Sequence, residues 1–282
     1  MKKLLVILLC FLFATCIVTA AAPAKISDVF LYDEARMDVG SVYHYIGSDI
    51  EGNNGIDFYI YVQSKDSIVV YKGYDKLIPG SVYVINTTFD WEHMMRSKIE
   101  ATNPLNNTLP QVEIGTKLNV NFKEKKVSIS YTRNDESGKP KLNNSNYKYK
   151  VEPCFDYGFF HFDLQFALRF LKEGVDIFRV SSTYSGIVAE SEIKLLKDET
   201  VNNIPCKKYE IRGLGILAEA YNVKGQVWIA KNDPRHYTVK YLNYVQKDNF
   251  WPNFRLELVD IKTMDAEQWK DFVKQLLAKA NQ

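Results

Sequence analysis

The amino-acid sequence predicts a mainly β, α+β protein. The expected architecture is a large curved antiparallel sheet, or half-open β-barrel, with a short buried central helix and a C-terminal amphipathic helix. Three observations predict it. Apolar and polar residues alternate with period two through most of the chain, in segments rich in β-branched and aromatic residues. One stretch, His161 to Val180, reads HFDLQFALRFLKEGVDIFRV and is apolar almost all the way round at helical spacing. The chain then ends in a stretch that is apolar on one helical face only.

The central helix is bounded by Asp163, whose carboxylate can accept from the free amides of a first turn, and by Gly174, suited to a left-handed end. Its polar stripe is narrow: His161, Gln165, Arg169 and Lys172. Phe162, Leu164, Phe166, Ala167, Leu168, Phe170 and Leu171 fill the rest, so the helix is expected to lie buried in the concave face of the sheet.

Strands are read in chain order. SVYHYI at 41–46 sets Val42, His44 and Ile46 on one face and Tyr43 and Tyr45 on the other. Residues 52–55 (GNNG) turn the chain, and 56–63 with 67–73 form a hairpin. Strands follow at 81–89, 111–122, 126–132 and 146–151. Asp90 to Glu100 reads equally as a helical turn or a continued strand, while 101–110 and the polar stretch 134–144 read as loops. After the central helix come a long hairpin over 175–184 and 187–195, then strands at 206–212, 226–230, 236–244 and 254–262. The closing helix has a capping box at Asp265 and Gln268 and a hydrophobic staple between Met264 and Trp269.

Residues 1–20 have the basic start, apolar run and small-residue end of a secretory signal peptide. Its apolar run is short of the roughly 20 residues that span a bilayer. Residues 21–282 are then expected to be a single β-rich domain, or two β-rich halves over about 25–152 and 153–282, with no later transmembrane segment. Removing Lys2 and Lys3 with the leader leaves 34 basic residues against 34 acidic ones. That balance argues against a nucleic-acid partner, which needs a basic excess. Cys154 and Cys206 remain as a pair in an oxidising compartment. They fit a disulfide, and equally two separate buried thiols.

Recognisable catalytic chemistry is missing. GLGILA at 213–218 follows a strand, as a dinucleotide loop would, but the antiparallel pattern around it favours a glycine-loosened strand. The four histidines, at 44, 93, 161 and 236, show no metal-ligand spacing, and no Gly-x-Ser-x-Gly elbow occurs. No cofactor or metal is expected. The anomaly is aromatic content, with 18 tyrosines and 16 phenylalanines. In a curved sheet crossed by a helix, such residues either fill the interior or line an apolar cavity.

DLQFALRFLKEG at 163–174, VNNIPCKKYEI at 201–211 and VWIAKNDPRHYTVK at 227–240 resemble a widespread bacterial exported family of unknown function, the DUF3108 family. The likeness covers about residues 155–262. That family is similar in fold to the lipoprotein carrier LolA and the lipid-binding protein LppX, half-open antiparallel barrels with a helical plug over an apolar cavity. The resemblance implies a lipid or lipoprotein-handling role in the cell envelope and carries over no catalytic residue. The expected function is therefore a non-enzymatic periplasmic or extracellular protein that binds an acyl chain. Phe162, Phe166, Leu168, Arg169 and Trp228 are the candidate cavity residues, and Arg169 is set at the mouth to meet a head group. Two other readings stay open: a carbohydrate-binding module using Trp91, Trp228 or Trp251, and an envelope assembly factor without a small ligand.

Overall fold

The structure, a computed structural model, describes residues 26–73, 82–102, 117–121, 123–134, 140–148, 168–184, 187–215, 224–244 and 254–280. These form one antiparallel sheet of 14 strands with a helix at its C-terminal end. The first meander comprises β1 (Ser41–Ser48), β2 (Ile56–Ser64), β3 (Ser67–Lys72), β4 (Tyr83–Asp90), β5 (Met95–Thr102), β6 (Lys117–Asn121), β7 (Lys126–Asn134) and β8 (Pro140–Lys148). The second comprises β9 (Ile177–Tyr184), β10 (Ile187–Val201), β11 (Ile204–Leu214), β12 (Lys224–Ala230), β13 (Thr238–Tyr244) and β14 (Phe254–Thr263). A single helical turn, α1 (Ile26–Val29), precedes them, and α2 (Ala266–Ala280) follows.

Strand order is β8-β7-β6-β5-β4-β3-β2-β1-β14-β13-β12-β11-β10-β9. The two meanders meet where β1 pairs antiparallel with β14, from Ser41 opposite Thr263 to Ser48 opposite Arg255. The remaining pairs are sequence neighbours, which antiparallel strands joined by short turns allow. At residues 201–204 the turn is two residues long, and Asn202 and Asn203 take φ of 49° and 63°. A tight hairpin needs that left-handed pair, and asparagine tolerates it.

The sheet is not flat. β4 and β9 lie nine places apart in the order, about 43 Å in a flat sheet at ~4.8 Å per strand. Yet a short aromatic relay joins them. Phe178 on β9 meets Phe30 edge to face at 5.5 Å. Two residues on, Tyr32 stacks at 5.6 Å on Trp91, which stacks at 4.5 Å on Phe89 of β4. That path is roughly half the flat distance, allowing ~7 Å for the two-residue step. The sheet therefore curls, concave on the face that carries Tyr43 and Tyr45.

Alternation assigns the two faces. Tyr43, Tyr45, Phe58, Ile60, Ile68, Val70, Ile85 and Tyr241 belong to the large buried cluster of the concave side. Val42, Tyr61, Val69, Tyr71 and Val82 form a second cluster, which α2 covers with Trp269, Phe272, Val273, Leu276 and Leu277. The central strands are thus buried on both faces, which explains the near-continuous burial of β3. The capping box is present: Gln268 N donates to Asp265 Oδ1 at 2.8 Å, and Asp265 N donates to Gln268 Oε1 at 2.9 Å.

Several expectations change. The ambiguous stretch after Asp90 makes a turn and then the strand β5. The polar stretch 134–144 is not all loop, because β8 begins at Pro140. Glycines 213 and 215 sit at the end of β11, antiparallel to β10 and β12, so no parallel unit for a dinucleotide exists there. Most of the expected central helix, and the leader at residues 1–20, lie outside the described residues. What the structure shows of that helix is its end: Leu168 is helical, residues 169–170 turn, and Gly174 takes φ of 79°. The buried element described on the concave face is accordingly this crossing segment, and a buried central helix is not among the described elements.

Candidate functional site

Topology makes the segment between β8 and β9 a crossing one. Those strands are the two edges of the sheet, so the chain must pass from one edge to the other. Its described end runs beside the N-terminal segment. Phe30 bridges Leu171, Leu31 N donates to Phe170 O at 2.8 Å, and Lys172 N donates to Val29 O at 2.9 Å. Leu168 and Phe170 are 3% and 0% exposed, and Phe170 packs on Tyr32 at 5.0 Å and Trp91 at 4.9 Å. The hairpin turn at Lys65 ties this end down: its carbonyl accepts from both Tyr32 Oη at 3.2 Å and Trp91 Nε1 at 2.8 Å.

Between Leu168 and Phe170, Arg169 points into the sheet and is 2% exposed. A guanidinium buried this deeply needs a charge partner. Asp38 supplies it: Arg169 Nη1 donates to Asp38 Oδ1 at 2.8 Å and to Arg36 O at 3.1 Å, and the guanidinium lies 4.8 Å from the centre of the Tyr43 ring. Arg36 reciprocates by donating from Nη1 to the carbonyl of Arg169. Tyr43 Oη donates to the other oxygen of Asp38. From the β12–β13 turn, Arg235 Nη1 comes within 3.7 Å of that oxygen. Arg235 is itself held by a two-pronged contact to Asp233, Nε to Oδ1 at 2.9 Å and Nη2 to Oδ2 at 2.7 Å.

Three guanidiniums and three carboxylates (Arg36, Arg169, Arg235, Asp33, Asp38 and Asp233) therefore clamp the crossing segment to the concave face. Burial works against the Arg169 charge, but Tyr43 and Asp38 outweigh it and keep the group protonated. Burial, then Asp38, pushes the Tyr43 phenol well above its ordinary range. The Arg235 fork holds the Asp233 carboxyl below its own. Among the described residues, no group of three or more His, Cys, Asp or Glu side chains is arranged to hold a metal ion.

The candidate cavity residues separate. Leu168, on the described end of the crossing segment, packs into the buried cluster of the concave face. Arg169 follows it in the same segment, its side chain engaged with Asp38 and away from solvent. Trp228 faces the other way: it pairs with Lys208 and Lys240, while its neighbour Val227 pairs with Tyr209 and Tyr241 of the concave side. The two lysine ammonium groups lie 4.6 and 5.5 Å from the Trp228 ring, and its Nε1 donates to Glu199 at 3.2 Å. Phe162, Phe166 and Cys154 lie outside the described residues. Cys206 is a free thiol, 1% exposed, donating to Ile204 O at 3.2 Å, and burial raises its pKa to about 11. Asp38 was not singled out from the sequence. The available signals were an arginine inside an apolar run and the Asp-Pro-Arg turn, both of which require carboxylates nearby.

Among the described residues no helix is long and apolar enough to cross a membrane. No family model matches the chain, and no curated protein matches it. Among solved structures it is similar to a protein with a YmcC-like fold from Bacteroides fragilis, at 11% identity over 83% of this chain and 99% of that one, with a TM-score of 0.28. It is similar to a DUF1329 family protein from Desulfovibrio piger, at 11% identity over 82% and 88% of the two chains, TM-score 0.23. It is also similar to a LolA superfamily protein from Nitrosomonas europaea, at 12% identity over 80% and 85%, TM-score 0.22.

Proposed function

We propose that this chain is an exported, non-enzymatic protein that binds an apolar ligand, a lipid or lipoprotein acyl chain, against the concave face beneath the crossing segment. The observation that carries the reading is the clamp: the described end of the crossing segment, with Leu168 and Phe170 packed into the apolar cluster, is fixed there by a small set of ion pairs around Asp38. A cover that only completed a core would need no such buried charges, since apolar residues of similar volume stabilise as well or better. The secretory pattern of residues 1–20 and the resemblance of residues 155–262 to an exported family support the same reading. An acyl chain would gain about 0.8 kcal/mol for each methylene buried. The carbohydrate reading loses support at two of its three residues, and the third, Trp251, lies outside the described residues. Trp91 is packed between Tyr32 and Phe89, and Trp228 is 4% exposed beneath two lysines.

Displacement of a fluorescent fatty acid tests the proposal. The wild type should bind saturably, and Leu168→Trp, which adds bulk beneath the crossing segment, should bind more weakly. Mass spectrometry of protein purified under native conditions should find a co-purified lipid. Absence of saturable binding to the wild type sinks the proposal.

A further inference from the structure

The outward rows of the second meander carry an excess of positive charge. Val227, Tyr209 and Tyr241 lie in the concave cluster, so their neighbours Trp228, Lys208 and Lys240 face outward, where both lysines cover the indole. Side chains alternate along a strand, so every second residue from these shares their face. One outward row runs Arg179, Glu192, Arg212, Lys224 across β9 to β12. The next holds Lys194, Glu210 and Gln226, and the third Lys197, Lys208, Trp228 and Lys240. The register adds Glu190 opposite Leu214 at one end and Glu199 opposite Cys206 at the other. Seven basic residues thus stand against four acidic ones on this face of β9 to β13. The chain from residue 21 onward is formally balanced, so the excess is segregated here.

Two contacts on this face work against stability. Lys197 stands directly opposite Lys208, and Arg212 directly opposite Lys224. Like charges so placed repel. Lys197 and Lys208 share Glu199, at 3.8 and 3.5 Å, and Lys240 has Glu257 at 2.8 Å. Arg179, Lys194, Arg212 and Lys224 are exposed, and among the described residues they form no ion pair. With strands spaced at about 4.8 Å, the backbone places these four within about 15 Å of one another.

We propose that this outer face docks on an anionic lipid surface, with Arg179, Lys194, Arg212 and Lys224 meeting head-group phosphates. A plane of negative charge satisfies the four cations together and relieves the repulsion between Arg212 and Lys224. A protein partner fits less well. Protein interfaces have an apolar centre depleted of charge, whereas the centre here is charged. Trp228 is 4% exposed beneath its lysines, and the exposed apolar residues Ile177 and Leu196 stand singly, one opposite Lys194 and one beside Lys197. A head-group layer accepts cations with apolar side chains between them. The docking does not depend on an acyl chain in the concave face, which lies on the other side of the sheet.

Co-sedimentation with vesicles tests this, with all variants purified in the same form so that the N-terminal residues contribute equally. The wild type should bind vesicles of phosphatidylglycerol and phosphatidylcholine, should ignore vesicles of phosphatidylcholine alone, and should be released as ionic strength rises. Salt release separates docking from uptake of an acyl chain, which salt does not weaken. The double variant Arg212→Gln, Lys224→Gln should bind about 25-fold more weakly, about five-fold for each cation lost. Its unfolding midpoint should stay level or rise, because an opposed like-charge pair is gone, so weaker binding cannot be blamed on misfolding. Lys270→Gln with Lys274→Gln makes the same change in net charge on exposed positions of α2 and should bind as the wild type does. Equal losses in the two double variants would make net charge, and not this face, responsible and overturn the proposal. Binding to immobilised polyglutamate without binding to anionic vesicles would overturn it in favour of an acidic polypeptide.

Discussion

Asp38 and Arg169, 131 residues apart in the chain, meet at 2.8 Å beneath the crossing segment, with side chains 14% and 2% exposed. The two ends of the pair are not equivalent. Asp38 also receives Tyr43 Oη and has Arg235 at 3.7 Å, so it retains partners if Arg169 is removed. Arg169, at 2.8 Å, is the nearer of the two arginines on that carboxylate. Asp38→Ala removes the acceptor that Arg169, Tyr43 and Arg235 share and should cost about 3–5 kcal/mol, the scale of breaking a buried ion pair. Arg169→Met, which keeps apolar volume and removes the charge, should cost clearly less. Urea unfolding midpoints at constant m-value give the comparison. Equal losses would mean that the crossing segment is held by packing alone.

Alkaline pH should unfold the protein before its tyrosines titrate normally. Burial, and for each a nearby aspartate, raises Tyr59, Tyr71 and Tyr209 to about 12. In the unfolded chain these phenols ionise near the ordinary value of about 10. The native state then binds more protons than the unfolded one between about 10 and 12, and stability falls as pH rises through that window. Tyrosinate absorbance should rise in one cooperative step together with loss of the β-sheet circular dichroism signal. A gradual rise with the fold intact would show the phenols to be accessible.

The outer helix gives two graded losses. Trp269 is 7% exposed and stacks on Tyr61 at 5.0 Å, so Trp269→Ala should cost about 3–5 kcal/mol. Asp265→Ala removes only the cap and should cost about 1 kcal/mol. Thermal unfolding of the two variants should rank them in that order. A larger loss for the cap than for the indole would mean that α2 is held by its first turn rather than by its apolar face.

Much of this architecture was legible where burial leaves a periodic trace. β1 alternates between Tyr43/Tyr45 and Val42/His44, and the structure divides them between the two faces as expected. The box at Asp265 and Gln268 and the apolar face of α2 were equally legible. β8 was legible only at its end: a strand was expected at 146–151, but it begins at Pro140, where an edge strand among lysines and asparagines buries little; Leu142 on it is 61% exposed. The start of β5 was ambiguous because Arg96, an arginine, fills a position that is 0% exposed. The clamp was out of reach for a different reason. Asp38 sits in a short loop without periodicity, and its partners come from residues 169 and 235, which only the pairing of β1 with β14 brings near. Arg169 was correctly marked as unusual, but nothing local distinguishes an arginine aimed at solvent from one aimed at a distant aspartate.

Trp228 provides the control that separates the two faces. Trp228→Phe keeps a ring for Lys208 and Lys240 to cover and loses the hydrogen bond to Glu199, which the indole currently holds below the ordinary carboxylate range. The expected loss is about 1 kcal/mol, that of one hydrogen bond. Fatty-acid binding should not change, because the residue lies on the face opposite the crossing segment. A marked fall in binding would move the ligand to the outer face.

Gly47 is the position where the concave wall has least room. It pairs with Leu256 of β14 and Ile56 of β2, and its missing side chain is covered by two rings, Phe58 and Phe254, which meet edge to face at 6.1 Å. A Cβ at Gly47 would lie within 2.9 Å of the Phe254 ring and closer still to Phe58. Alanine in place of a strand glycine ordinarily gains about 0.5–1 kcal/mol from reduced chain entropy. Overpacking a tight site costs about 1–3 kcal/mol, and here both rings are joined to the main cluster, so the clash should win. Gly47→Ala is expected to lower the unfolding midpoint, whereas Gly55→Ala, whose nearest new contact is Ile46 at 3.3 Å on an exposed turn, should change it little. The double variant Gly47→Ala, Phe254→Leu should recover part of the loss, because the smaller side chain frees the space. If the double variant is no better than the sum of its single changes, the loss at Gly47 comes from the strand backbone and the two rings are not its cause.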